Sequence, residues 1–154
     1  MLLIQFVVAF FATAAFSVIF NIPKNQWFFA GFTGGAGWVI YWWLSGQRGV
    51  VVATFIAVVV ITLLSRIFAI VRKAPVTIFL VSGIFPLVPG VGIYYTSYYL
   101  IMNELAMAGE KGMETLKIAV AITLGIMCVL LIPQKVIAIP DIYVQRYLKK
   151  KKRR

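Results

Sequence analysis

Residues Gly83–Tyr99 read GIFPLVPGVGIYYTSYY. They lie inside an apolar run, Pro75–Met102, where a membrane helix is expected, yet they hold two prolines, three glycines and six hydroxyl side chains. As one straight helix the run would be about 42 Å long, against a hydrocarbon core of about 30 Å. Proline decides how the excess is taken up. Pro86 and Pro89 have no N–H to give the carbonyls of Ser82 and Phe85, and each pushes the residue before it away from helical angles. The stretch therefore predicts a helix of about ten residues, a short non-helical link, and a second helix starting near Gly90, with Gly90 and Gly92 free to take the angles the link needs.

The surrounding composition places this break in a bilayer. The chain has 154 residues, 62% hydrophobic and 12% charged, with a mean hydropathy of +0.98, far from a soluble domain. There is no His and one Cys, Cys128. That excludes a disulfide within the chain and a His/Cys metal cluster, and it leaves no nucleophile paired with a base. Neither an enzyme nor a bound cofactor or metal is expected.

The reading along the chain is all-α and polytopic, with five transmembrane helices. Met1–Phe20 is the first span, because no Lys or Arg precedes it as in a signal peptide. Trp27–Ser45, rich in glycine and aromatics, is the second, and Val50–Val71 the third. The fourth, Pro75–Met102, is broken at Pro86, Pro89 and Gly90. A polar loop, Asn103–Lys117, leads to a fifth span from Ile118 to Ile132, with the possibility of continuation past Pro133. Residues 1–140 then form the membrane domain and 141–154 a basic tail. With five crossings, Lys24, Arg72, Lys73 and the seven Lys/Arg of the tail fall on one side, and Arg48, Lys111 and Lys117 on the other. The positive-inside rule puts the C-terminus in the cytoplasm and the N-terminus outside. The tail is expected to rest on anionic lipid, with no role for nucleic acid.

A non-helical link in lipid leaves backbone groups unpaired, and it is tolerated only inside protein or beside a wet cavity. Its freed carbonyls suit cations, and the N–H groups opening the second half-helix suit a carboxylate. Beyond it, Tyr94 and Tyr98 share one helical face, and Tyr95 and Tyr99 the next. Two readings stay open: a polar path for a small hydrogen-bonding solute, or a packing kink followed by interfacial tyrosines.

The words APVTIFLVSGIFPLVPGVGIYY, Ala74–Tyr95, resemble the C-terminal membrane half of the threonine/serine exporter family. Its Gly-x-x-Pro-Leu-Val-Pro-Gly core is here Gly83-Ile-Phe-Pro86-Leu87-Val88-Pro89-Gly90, with Tyr94 or Tyr95 in the tyrosine place. The likeness extends over about residues 25–140. It implies a bacterial inner-membrane subunit of an exporter for threonine and serine, or for small dicarboxylates such as succinate, working by alternating access with proton coupling. Fused members also carry a soluble N-terminal region and a first membrane half. The resemblance therefore implies a second membrane subunit supplying the other half. The alternative class is a membrane scaffold or assembly subunit that transports nothing.

The candidate path or gate residues are Arg66, Gly83, Pro86, Pro89, Gly90, Tyr94, Tyr95 and Tyr98. Arg66 lies within the third span, six residues before Arg72. It either snorkels to the cytoplasmic face or pairs a substrate carboxylate. Gly31 and Gly35, four apart, predict close helix packing, with the fourth span or the partner subunit as neighbour. Trp27, Trp38, Tyr41, Trp42 and Trp43 read as interfacial anchors. Glu104, Glu110 and Glu114 read as solvated loop carboxylates, Glu104 being nearest the membrane and so a candidate for proton coupling.

Overall fold

The computed structural model describes residues 1–133; Lys135, the 140/141 boundary and the basic tail lie outside the described residues. Six helices follow one another: α1 Leu2–Ile19, α2 Trp27–Arg48, α3 Val50–Arg72, α4 Val76–Ile84, α5 Gly90–Ile101 and α6 Leu105–Leu130. Among the described residues the only other helical pieces are two 3₁₀ turns, Lys24–Gln26 and Phe85–Leu87. α1, α3 and α6 are each long and apolar enough to cross a membrane, and the bent pair α4–α5 can count as a fourth span. α2 has the length, about 33 Å at its 22 residues, but its glycines, tryptophans and tyrosine lower its hydropathy.

Packing explains how α2 tolerates that composition. Its buried residues are all small or hydroxylated, Ala30, Gly31, Thr33, Gly34, Gly35 and Gly37, so neighbouring backbones approach closely. α1 packs on one side of α2 and α3 on the other, and α4 lies against both α2 and α3. Gly31 and Gly35 face α1: a methyl group on Gly31 would stand 3.0 Å from the Phe10 carbonyl oxygen, and one on Gly35 3.0 Å from the Phe6 ring. The neighbour expected from sequence was α4 or a partner. The first helix fills the place because Phe6 and Phe10, one turn apart, straddle the glycine face.

The break follows the proline chemistry. α4 ends at Ile84, the 3₁₀ turn takes Pro86 in its first positions, Val88 is extended and α5 opens at Gly90, with a bend of 51° between the halves. The glycines are used differently from the sequence expectation. Neither Gly90 nor Gly92 adopts a positive φ; Gly92 instead lets the Thr115 side chain of α6 press against its Cα.

The region Asn103–Lys117 is not a loop. The turn is confined to Met102–Glu104, and α6 starts at Leu105, thirteen residues before the expected fifth span. Leu, Ala, Met, Glu and Lys dominate this stretch and are good helix formers. α6 packs on α3 and α5. Gly125 meets Phe55 and Val58, and the Arg66 guanidinium reaches the Val129 and Ile132 carbonyls. α3 and α6 therefore run in the same direction. Arg72 donates to Gln26 Oε1 at 3.1 Å and to the Asn25 carbonyl at 3.3 Å, and lies over the Phe29 ring. Lys24, Arg72 and Lys73 thus mark one end of the bundle, and Arg48 and Lys111 the other.

Candidate functional site

The break does not lie halfway along the bundle. Gly90–Gly92 stand level with Thr54, one turn into α3, and there a cavity of about 360 Å³ opens. Its walls come from five directions: Trp38 and Tyr41 on α2, Val50 and Thr54 on α3, Pro86–Pro89 in the link, Gly90–Gly92 on α5, and Lys111, Glu114, Thr115 and Ile118 on α6. Proline's two effects build the link side: they stop the helix, Val88 is extended, and a tight turn at Pro89 is closed by Gly90 N–H donating to the Val88 carbonyl at 2.8 Å. The next N–H groups of α5, on Val91 and Gly92, have no backbone acceptor among the described residues, as in the first turn of any helix. Both residues line the cavity.

Two opposite charges share this cavity. Lys111 Nζ donates to Glu114 Oε2 at 3.1 Å, with the two side chains 42% and 49% exposed. At that exposure the pair contributes at most about 1 kcal/mol to the fold, so both groups are available to a solute. Hydroxyls accompany them. Thr115 donates to the Lys111 carbonyl at 2.7 Å and Thr54 to the Val50 carbonyl at 2.8 Å, which leaves both oxygens able to accept. Trp38 is drawn inward, its indole N–H held at 2.8 Å by Gln5 Oε1 of α1. Trp38 and Tyr41 therefore wall the cavity, where the sequence suggested interfacial anchors.

Of the residues singled out from sequence, the cavity brings together Pro86, Pro89 and Gly90. Gly83 lies deeper in the bundle, its Cα against Thr33 and Ile61. Tyr94, Tyr95 and Tyr98 are exposed on α5, where Tyr94 stacks on Tyr98 and Tyr95 on Tyr99 with ring centroids 6.3 and 6.1 Å apart. None of these tyrosines lines the cavity. Lys111 and Glu114 were missed as site residues because their segment read as a loop. The signal was the helical spacing of Lys111, Glu114, Thr115 and Ile118, at i, i+3, i+4 and i+7, which marks one face.

Arg66 stands about 18 Å along α3 from Thr54. It is 4% exposed, and its Nη1 donates to the carbonyls of Val129 and Ile132 at 2.5 and 2.6 Å. These stand at and just past the C-terminal end of α6, where the helix dipole favours a cation. The structure thus gives Arg66 a helix-capping place that ties α6 to α3. Replacing it with Ala leaves the carbonyls without their charged donor and is expected to cost about 3 kcal/mol. The check is a lower thermal midpoint of the purified chain, partly restored by Arg66→Lys. An unchanged midpoint would refute the capping role.

Comparison with known proteins adds one match. The family model described as "Threonine/Serine exporter, ThrE" covers residues 5–132, from the first turn of α1 to just past α6. No curated protein and no solved structure matches the chain.

Proposed function

Because the chain belongs to the threonine/serine exporter family, whose members are transporters and not enzymes, we propose that the cavity at the α4–α5 break holds a small zwitterion before its release. The observation that carries this is the placing of one cation and one anion, Lys111 and Glu114, in the same cavity as the free N–H groups of α5. The ammonium of threonine or serine meets Glu114. Its carboxylate meets Lys111 and the N–H groups of Val91 and Gly92, and the Thr54 and Thr115 oxygens accept from its hydroxyl. A dicarboxylate such as succinate offers nothing to Glu114 but repulsion, which favours an amino acid as cargo.

The remaining organisation follows from this reading. α1, α2, α3, the α4–α5 pair and α6 make five crossings of a bacterial inner membrane. The shared direction of α3 and α6 supports it, since α4–α5 then has to return the chain from one end to the other. The end marked by Lys24, Arg72 and Lys73 is cytoplasmic by the positive-inside rule, so the cavity opens outward and the N-terminus is outside. A second membrane subunit supplies the other half of the exporter. α5 supports that pairing, since none of its residues is buried in the chain alone.

The deciding experiment uses cells lacking and then regaining the chain, with the other exporter half present. Efflux of labelled L-threonine is expected to return with the chain, and succinate efflux to stay at background. Restored assembly of the partner with no efflux of either solute would leave only the scaffold role.

A further inference from the structure

The interior changes character along the bundle. Below the cavity an apolar layer closes it: Ala57, Val58, Ile61 and Leu87, while Leu80 of the same cluster lies farther along, past Ser82 on α4. Ile61, fully buried, is the middle of this layer. A methyl group on Gly37 of α2 would overlap its Cγ1 and Cδ1, and one on Gly83 of α4 would stand 3.1 Å from its Cγ2. The side chain is thus held between two glycines of different helices. It lies seven residues beyond Thr54, about 10 Å along α3.

Past Ile61 the interior turns polar. Thr33, Thr62, Ser65 and Ser82, from α2, α3 and α4, are all 0% exposed. Hydroxyls that hold membrane helices together bond across the interface, and these do not. Each donates to a carbonyl of its own helix four residues back, Phe29, Val58, Ile61 and Ile78 respectively. Each oxygen keeps its accepting capacity, and no side chain among the described residues donates to it. Ala30, Ala69 and Phe79, with Leu80 next to Phe79 on α4, then close the Arg72 end. With their donors already used within each helix, the four hydroxyl oxygens offer only acceptors, which match a solute rich in donors.

We propose that Ile61 is the closed gate of the transport path, and that Thr33, Thr62, Ser65 and Ser82 line the half of the path reached from the face opposite the cavity. The proposal rests on the transporter reading above. α4 joins α5 only through the non-helical link, so it can shift against α2 and α3 without carrying α5 with it. Gly37 and Gly83 give the Ile61 side chain room to swing when it does.

Single cysteines placed in the full chain test this, after Cys128→Ser removes the one native thiol, which is exposed. A charged, membrane-impermeant thiol reagent is applied from each face in membranes carrying out L-threonine efflux. Thr54→Cys is expected to react only from the cavity face. Ser65→Cys and Ser82→Cys are expected to react from the opposite face at about 1–10% of a free thiol's rate, as for a minor open state. Ala9→Cys, also buried, on α1, is the background. Adding Ile61→Ala to Ser82→Cys should extend its labelling to the cavity face. If Ser65→Cys and Ser82→Cys label no faster than Ala9→Cys while efflux persists, the gate is overturned and the transporter reading stands. If cells given the Cys128→Ser chain show no efflux above cells without it, both fall.

Discussion

Glu114→Gln is expected to lower L-threonine efflux about ten- to a hundredfold, the factor that follows from losing one charged hydrogen bond of about 1.5–3 kcal/mol to the solute. The substitution keeps the shape of the side chain and removes its charge. Its effect on folding is small, because the Lys111–Glu114 pair is about half exposed on both sides and such pairs contribute little. The amount of chain in the membrane and its thermal midpoint should therefore be unchanged while transport is lost. Lys111→Gln is expected to act similarly through the carboxylate of the solute. Exchanging the two residues keeps one charge of each sign in the cavity and should recover part of the efflux. Wild-type efflux from Glu114→Gln would refute the zwitterion site, and equal loss of the membrane-embedded chain would mean that the pair is structural.

Gly34→Ala is expected to destabilise the folded chain by forcing α1 and α2 apart. Its new methyl would stand 2.7 and 2.8 Å from Cγ2 and Cβ of Thr13, closer than real contacts come, and would overlap Thr13 Oγ1 as well. Cβ cannot rotate away, so α1 and α2 must part, and overpacking of this kind costs about 1–3 kcal/mol. Thr13 offers an internal control. Its hydroxyl is buried with no partner among the described residues, so Thr13→Ala alone should leave stability unchanged or raise it. Combined with Gly34→Ala, it removes two of the three clashing atoms and is expected to recover most of the loss. The double-mutant cycle of thermal midpoints checks this. Additive effects would show that the two helices do not meet as described.

How far the sequence could be read differs by element. The break was legible to the residue, because a missing N–H and a clash with the preceding residue act over a few bonds. The extents of α1 and α3 were legible for a similar reason, since their apolar runs end where Asn21 and Lys73, both of positive φ, turn the chain. α2 runs three residues past the expected Ser45 to end before Gly49. The beginning of α6 was not legible from polarity. Lys111 and Glu114 look like loop residues until the helical spacing is followed through Thr115 to Ile118.

The amino-acid sequence by itself determined that the chain lives in a membrane, where its fourth apolar run must interrupt, and which family motif sits at the interruption. Hydropathy and proline sterics are properties of short segments, so they survive without knowledge of the neighbours. Tertiary structure alone decided that the break faces the charged side of α6 and that Arg66 caps the far end of that helix. It also set Ile61 between two glycines. These depend on which surfaces fit, and that fit is fixed by absent side chains at Gly34, Gly37, Gly83 and Gly92, whose partners lie up to scores of residues away in the chain.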